Sequence, residues 1–149
     1  MGLADIFDTR LIKLNLESTD KAAVFEELSR TIAAVKPELN QGTMLAILHD
    51  REGKMNTSVA PGVAVPHGYF PGLNRIIGAV GFSLKGIEYS APDHKPVHLV
   101  FMLLLGEGER KEHLHVLNQI LTFVKFGALS YIRDAGTPQQ AYDMLCRVG

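Results

Sequence analysis

Three polar residues stand apart once the apolar pattern of the chain is drawn: Arg51, His67 and His113. His67 closes the stretch Gly62-Val63-Ala64-Val65-Pro66-His67-Gly68. Pro66 fixes its own φ, removes a donor and drives Val65 toward extended backbone. Gly68 leaves room for a ligand or another backbone. The imidazole is therefore held at the rigid end of a short buried strand, which presents it to a partner. A core or turn histidine that happens to follow proline fits the same pattern. Arg51, sixteen positions earlier, falls near the C-terminus of an expected helix, where the macrodipole alone favours a cation by about 0.3–1 kcal/mol. His113 falls near the start of a later helix and reads as a surface histidine.

Other chemistries have less support. His113 and His115 form an H-x-H pair, but residues two apart on a helix point in different directions. His94 and His98 have four-residue spacing but fall on a turn and a strand start. No cysteine pair or acidic cluster completes a metal site. The only cysteine, Cys146, lies near the C-terminus, and there is no G-x-S-x-G elbow. Walker A and G-x-G-x-x-G sequences are absent too. Neither a metal nor a cofactor is expected.

The elements that must hold these residues follow from periodicity. Residues 11–16 alternate, with Ile12, Leu14 and Leu16 on one face, as in a half-buried strand. Ser18 and Thr19 offer N-caps and Asp20 suits a first helical turn. Val24, Phe25, Leu28, Ile32 and Val35 then recur at helical spacing until Pro37. A second helix is expected over about 42–51, with Met44, Leu45 and Leu48 inward and Gly53 as its stop. Residues 63–65 read as a strand fragment, 76–84 as a strand and 87–91 as another short one. The apolar run Val97–Leu105 reads as a central strand buried on both faces. Leu114, Leu117, Leu121 and Val124, flanked by Ile120 and Phe123, predict the buried stripe of a helix starting near Arg110. Thr137-Pro138-Gln139-Gln140 is a helix start, with threonine as N-cap, proline at N1 and glutamine at N3; Ala141, Met144 and Leu145 lie beyond it. The expected architecture is α/β: one domain over 1–149, with a mixed sheet of about five strands covered by helices on both faces.

Composition limits the partners. Fifteen Lys and Arg oppose sixteen Asp and Glu, a net charge of −1, which leaves no electrostatic footprint for nucleic acid or an acidic membrane. A hydrophobic fraction of 46% and a charged fraction of 21% suit a soluble globular chain of 149 residues with a real core. Met1 to Arg10 carries Asp5 and Asp8 and lacks the apolar core of a signal peptide. No apolar run approaches the roughly 20 residues that span a bilayer. The lone cysteine fits a reducing compartment, and the expected location is cytoplasmic.

Taken in order, Arg51, the Thr57–Gly68 stretch ending on Pro66-His67-Gly68, the Val97–Leu105 run and Glu112-His113-Leu114 resemble a known family. It is the enzyme IIA domain of the bacterial phosphotransferase system, of the mannitol, fructose and nitrogen-regulatory type. The resemblance runs from about Asp8 to Leu145. It is most specific over Gly62 to Gly68, with His113 a further 46 positions beyond His67. It implies a mannitol-type enzyme IIA fold. By the same resemblance His67 accepts a phosphoryl group, His113 positions it, and Arg51 offsets its charge. The implied donor is the phosphohistidine of the carrier HPr or of its nitrogen-branch homologue. The implied acceptor is a cysteine of enzyme IIB.

One segment departs from the family pattern. Where a Ser-Thr-Gly-Ile-Gly-like run is common, this chain has Asn56-Thr57-Ser58-Val59-Ala60-Pro61, keeping a hydroxyl at Thr57 and losing the glycines. The N–H of Gly68 and a nearby helix N-terminus are further expected donors to phosphate, and Val63, Phe70 and Leu73 an expected apolar rim. The chain length, with no enzyme IIB or membrane domain beside the motif, fits both a sugar-uptake relay and a nitrogen-type regulator that binds partners according to its phosphorylation. A binding scaffold that is never phosphorylated is the third reading.

Overall fold

The computed structural model describes residues 2–108 and 110–148. In chain order its elements are β1 (Ile12–Lys13), α1 (Lys21–Val35), α2 (Gln41–Lys54), β2 (Ser58–Ala60), β3 (Val63–Ala64), β4 (His67–Tyr69), β5 (Ile77–Ile87), β6 (Val97–Leu105), α3 (Arg110–Lys125), α4 (Ala128–Asp134) and α5 (Pro138–Leu145). The strands form one mixed sheet of six rather than about five, in the order β1-β5-β6-β3-β2, with β4 also paired to β6. β5 runs antiparallel to β6 along one side. On its other side β3 and then β4 run parallel to it.

The alternation along β6 divides the interior in two. Leu99, Phe101, Leu103 and Leu105 join a core closed by Val116, Ile120 and Phe123 of α3 and by side chains of α4 and α5. Val100, Met102 and Leu104 join the other core, closed by Val24, Phe25, Leu28 and Ile32 of α1 and by Met44 and Leu48 of α2. Helices therefore cover both faces, as a strand apolar at all but one residue requires. Each such side chain contributes roughly 1.5–3 kcal/mol on burial.

Several boundaries differ from expectation. α1 is capped by Asp20, which accepts from the Ala23 N–H at 2.8 Å, rather than by Ser18 or Thr19. Ser18 and the preceding backbone are instead tied down by the carboxylate of Glu27. β1 is only two residues long because Leu11 belongs to a 3-10 turn capped by Asp8. α2 runs through Gly53 to Lys54, so Gly53 is no stop. The expected strands at 76–84 and 87–91 are not separate: β5 continues to Ile87 across an irregularity in its pairing with β6, and only Glu88 beyond it bridges to Asp20.

The inward stripe of α3 is rotated from the expected one. His113, Val116, Gln119, Ile120 and Phe123 are buried. Leu114 is 59% and Leu121 43% exposed. α5 starts as the sequence predicts, with Thr137 Oγ1 accepting from the Gln140 N–H at 3.1 Å. No described helix is long and apolar enough to cross a membrane.

Candidate functional site

β4 aims the site. Its parallel register sets His67 opposite Leu103, Gly68 opposite Leu104 and Tyr69 opposite Leu105. Residues paired in a ladder share a face. His67 and Tyr69 therefore look to the α3 side, where Leu103 and Leu105 are packed, and Gly68 looks to the α2 side with Leu104. A Cβ on Gly68 would collide with Ile47 Cγ2 and lie 3.5 Å from the Ile47 carbonyl oxygen. Glycine thus lets α2 press against the strand. Arg51 sits one turn beyond Ile47 on the same helix face. The part the structure gives Gly68 is this steric one, its backbone being enlisted in the β6 ladder.

α2, β4 and α3 converge on a cleft of about 490 Å³. Arg51, His67 and His113, far apart in sequence, all line it, together with Tyr69 and Arg110. Its apolar wall is Ile47, Leu105, Leu114 and Leu117. The expected rim is wrong. Val63 is buried in the ladder opposite Leu99, and Phe70 and Leu73 pack into the α1–α2 core. The leucines assigned from sequence to the buried stripe of α3 supply the rim instead.

The His67 ring is fixed by its own strand: Nδ1 lies 2.8 Å from the Val65 carbonyl oxygen. A carbonyl can only accept, so Nδ1 carries the proton and Nε2 keeps the free lone pair of the neutral ring. Pro66 makes this bond by holding Val65 extended next to the ring. Burial pushes the imidazole below its ordinary pKa, the Val65 bond pulls it up, the Arg51 charge pushes it further down, and Glu52 opposes Arg51. The net shift is downward, so at neutral pH the ring is an uncharged nucleophile.

His113 is no surface residue. It is 5% exposed, and its Nδ1 has no hydrogen-bond partner among the described residues. Its ring packs on that of Tyr69, centroids 5.4 Å apart and planes tilted by 58°. Arg51 stands both at the helix end and at the cleft: Nη1 donates to the Met55 carbonyl at the end of α2, at 3.0 Å, and the side chain lines the cleft.

Thr57 is not at the cleft surface. Its hydroxyl, 4% exposed, donates to Glu52 Oε1 at 2.6 Å and lies 2.8 Å from the Tyr89 phenol oxygen. Its N–H donates to Glu52 Oε2, and Lys21 Nζ sits 3.4 Å from that oxygen. Burial pushes the Tyr89 phenol above its ordinary range, so it stays a neutral partner. This network pins the end of α2, and with it Arg51, to the segment that leads into β2.

Sequence reasoning missed Arg110 and Tyr69. Both had a readable signal. Arg110 is three residues before His113, one helical turn away on the same face. Tyr69 is two residues after His67, on the same side of a strand.

Comparison with known proteins points to one family. The family model described as "Phosphoenolpyruvate-dependent sugar phosphotransferase system, EIIA 2" matches residues 5–147. The PTS system fructose-specific EIIABC component of Bacillus subtilis (strain 168) is 33% identical over 125 residues, which are 83% of this chain and 20% of that protein. The chain thus spans a fifth of the length of that relative. The nitrogen regulatory protein of Bradyrhizobium diazoefficiens is 31% identical over 125 residues, 84% of this chain and 81% of that one. The crystal structure of the nitrogen regulatory protein IIA-Ntr from Neisseria meningitidis superposes with a TM-score of 0.88 at 28% identity, covering 96% of this chain and 98% of that chain.

Proposed function

The chain belongs to the EIIA 2 family of the phosphoenolpyruvate-dependent sugar phosphotransferase system, and we propose that it is a cytoplasmic phosphoryl carrier whose acceptor atom is Nε2 of His67. One observation carries this reading: the Nδ1–H of His67 is committed to the Val65 carbonyl, so the ring can attack with Nε2 alone, in a cleft that also holds two guanidinium groups and a second imidazole.

The transfer needs positioning and charge compensation more than covalent help. The P–N bond of a phosphohistidine on HPr, or on its nitrogen-type homologue, breaks as a P–N bond to His67 Nε2 forms in line. Arg51 and Arg110 offset charge on the equatorial oxygens, and His113 donates to them. The first turn of α3 opens on the cleft and adds its positive end. In the onward step the phosphoryl group passes to the sulfur of an enzyme IIB cysteine, restoring the neutral imidazole. The apolar wall of Ile47, Leu114 and Leu117 suits both the docking of such partners and the exclusion of water that would hydrolyse phosphohistidine.

A second reading has its own support. Relatives named nitrogen regulatory protein match over most of their length, and a structure of that name superposes over 96% of this chain. In this reading the same phosphohistidine is a signal that partner proteins read.

The test is incubation with phosphoenolpyruvate, enzyme I and a phosphocarrier. The wild type takes up one phosphate. His67→Ala takes up none, while His113→Ala and Arg51→Ala take it up about a hundredfold more slowly. Full phosphorylation of His67→Ala overturns the assignment. Discharge onto an enzyme IIB cysteine supports the uptake relay, and a phosphoprotein that discharges to none supports the regulator.

A further inference from the structure

His113 poses a problem that its burial makes acute. A buried histidine is ordinarily oriented by a hydrogen bond to one ring nitrogen, which fixes both tautomer and angle. Here Nδ1 has no such partner among the described residues, so no polar contact there holds the ring toward the cleft. What touches the ring is Tyr69, at a centroid separation of 5.4 Å and a tilt of 58°, within the geometry that aromatic pairs favour. Tyr69 is 57% exposed and adds little to either core. It follows His67 by two residues in β4, so both side chains leave the strand on the same side, and β6 holds both in register, against Leu103 and Leu105.

We infer that Tyr69 is a positioning residue for the transfer: it sets the His113 imidazole against the acceptor nitrogen of His67 through a ring-to-ring contact carried by the same strand as His67. The inference rests on the carrier reading proposed above. A three-residue strand thus supplies the nucleophile, the glycine that admits α2 and the aromatic ring that orients α3's histidine. A shift in β4 would then move all three together, so their relative geometry does not depend on loops. The contact is between ring faces and edges, and phenylalanine at this position preserves it.

The test uses the full chain with Tyr69→Ala, Tyr69→Leu and Tyr69→Phe. The first readout is ¹³C relaxation of the His113 ring CH groups in the unphosphorylated protein. The ring is as rigid as the surrounding backbone in the wild type and in Tyr69→Phe, and mobile in Tyr69→Ala and Tyr69→Leu. The second is phosphoryl transfer from a phosphorylated carrier. At saturating carrier the rate falls about 3- to 10-fold in Tyr69→Ala and Tyr69→Leu, the half-saturating carrier concentration stays within about twofold, and Tyr69→Phe restores the rate. A His113 ring equally rigid in Tyr69→Ala overturns the inference. So does a defect confined to the half-saturating concentration, which would make Tyr69 a docking contact only. If the wild type accepts no phosphate, the carrier reading fails, and the ring relaxation still decides whether Tyr69 orients His113.

Discussion

The guanidinium of Arg51 donates through Nη1 to the carbonyl oxygen of Met55 at 3.0 Å, closing the end of α2 with the same side chain that lines the cleft beside His67. The helix-end role fixes one edge of the guanidinium, and its remaining donors are left for the cleft.

Arg51→Ala raises the pKa of His67, because the Arg51 charge helps hold that imidazole below its ordinary value. It also slows phosphoacceptance, by about a hundredfold. Proton NMR titration of the His67 ring reads the first effect directly. A midpoint that is unchanged or lower in Arg51→Ala would show that the guanidinium does not act on the imidazole.

The pH dependence of acceptance follows from the same shift. Only the neutral ring is a nucleophile, and it is the form present above the His67 pKa. Burial, helped by Arg51, sets that pKa below the usual histidine value. The rate at saturating carrier is therefore flat around neutrality and falls only as pH drops below the range in which an exposed histidine titrates. Single-turnover rates across pH 5 to 8 check this. A rate that already halves above pH 7 contradicts it.

Glu27 is the main acid-sensitive staple of the fold. Burial pushes its carboxyl up, but Lys13, Ser18 and the N–H groups of Glu17 and Ser18 outweigh burial and hold it down at about 2, against an ordinary 4.5. A carboxylate lowered on folding contributes stability that is fully present above its unfolded pKa and is lost as pH falls through the folded one. The wild type should therefore lose about 3 kcal/mol between pH 5 and pH 2 from this group. In Glu27→Gln that part of the slope is absent. Urea midpoints of the two proteins across this range provide the comparison, and parallel curves would refute it.

Thr57→Val separates structure from chemistry at the segment that departs from the family pattern. The hydroxyl is buried between Glu52 and Tyr89, so its loss costs about 1–3 kcal/mol, seen as a lower thermal midpoint. The folded variant still accepts phosphate at His67 at close to the wild-type rate. Loss of acceptance in folded Thr57→Val would make the hydroxyl a phosphate ligand.

Legibility in the sequence followed the length of the physical signal. β6 was readable because nine consecutive residues, Val97–Leu105, are nearly all apolar, and α5 because Thr137, Pro138 and Gln140 each suit one capping position. β2 and β4 were not, since three residues carry no period to detect. On α3 the pattern misled: two polar residues, His113 and Gln119, face inward while Leu114 and Leu121 face out. At Leu114 that inversion marks the site, because this leucine walls the cleft and the buried histidine lines it. Gly53 looked like a helix stop because its φ freedom suits one, but Arg51 closes the helix further on. The site residues themselves were found through the Pro66-His67-Gly68 stretch and the family resemblance. Tyr69 and Arg110 emerged only when the strand register and the first turn of α3 were in place.

The central claim is that one nitrogen of one residue receives the phosphoryl group. The most direct measurement is long-range ¹H–¹⁵N correlation on the chain after phosphorylation by a phosphocarrier, with the ring nitrogens of all six histidines followed. A single phosphorylated nitrogen, Nε2 of His67, with Nδ1 still protonated against the Val65 carbonyl, is the predicted result. Phosphate on Nδ1 of His67, or on His113 in its place, would contradict the account.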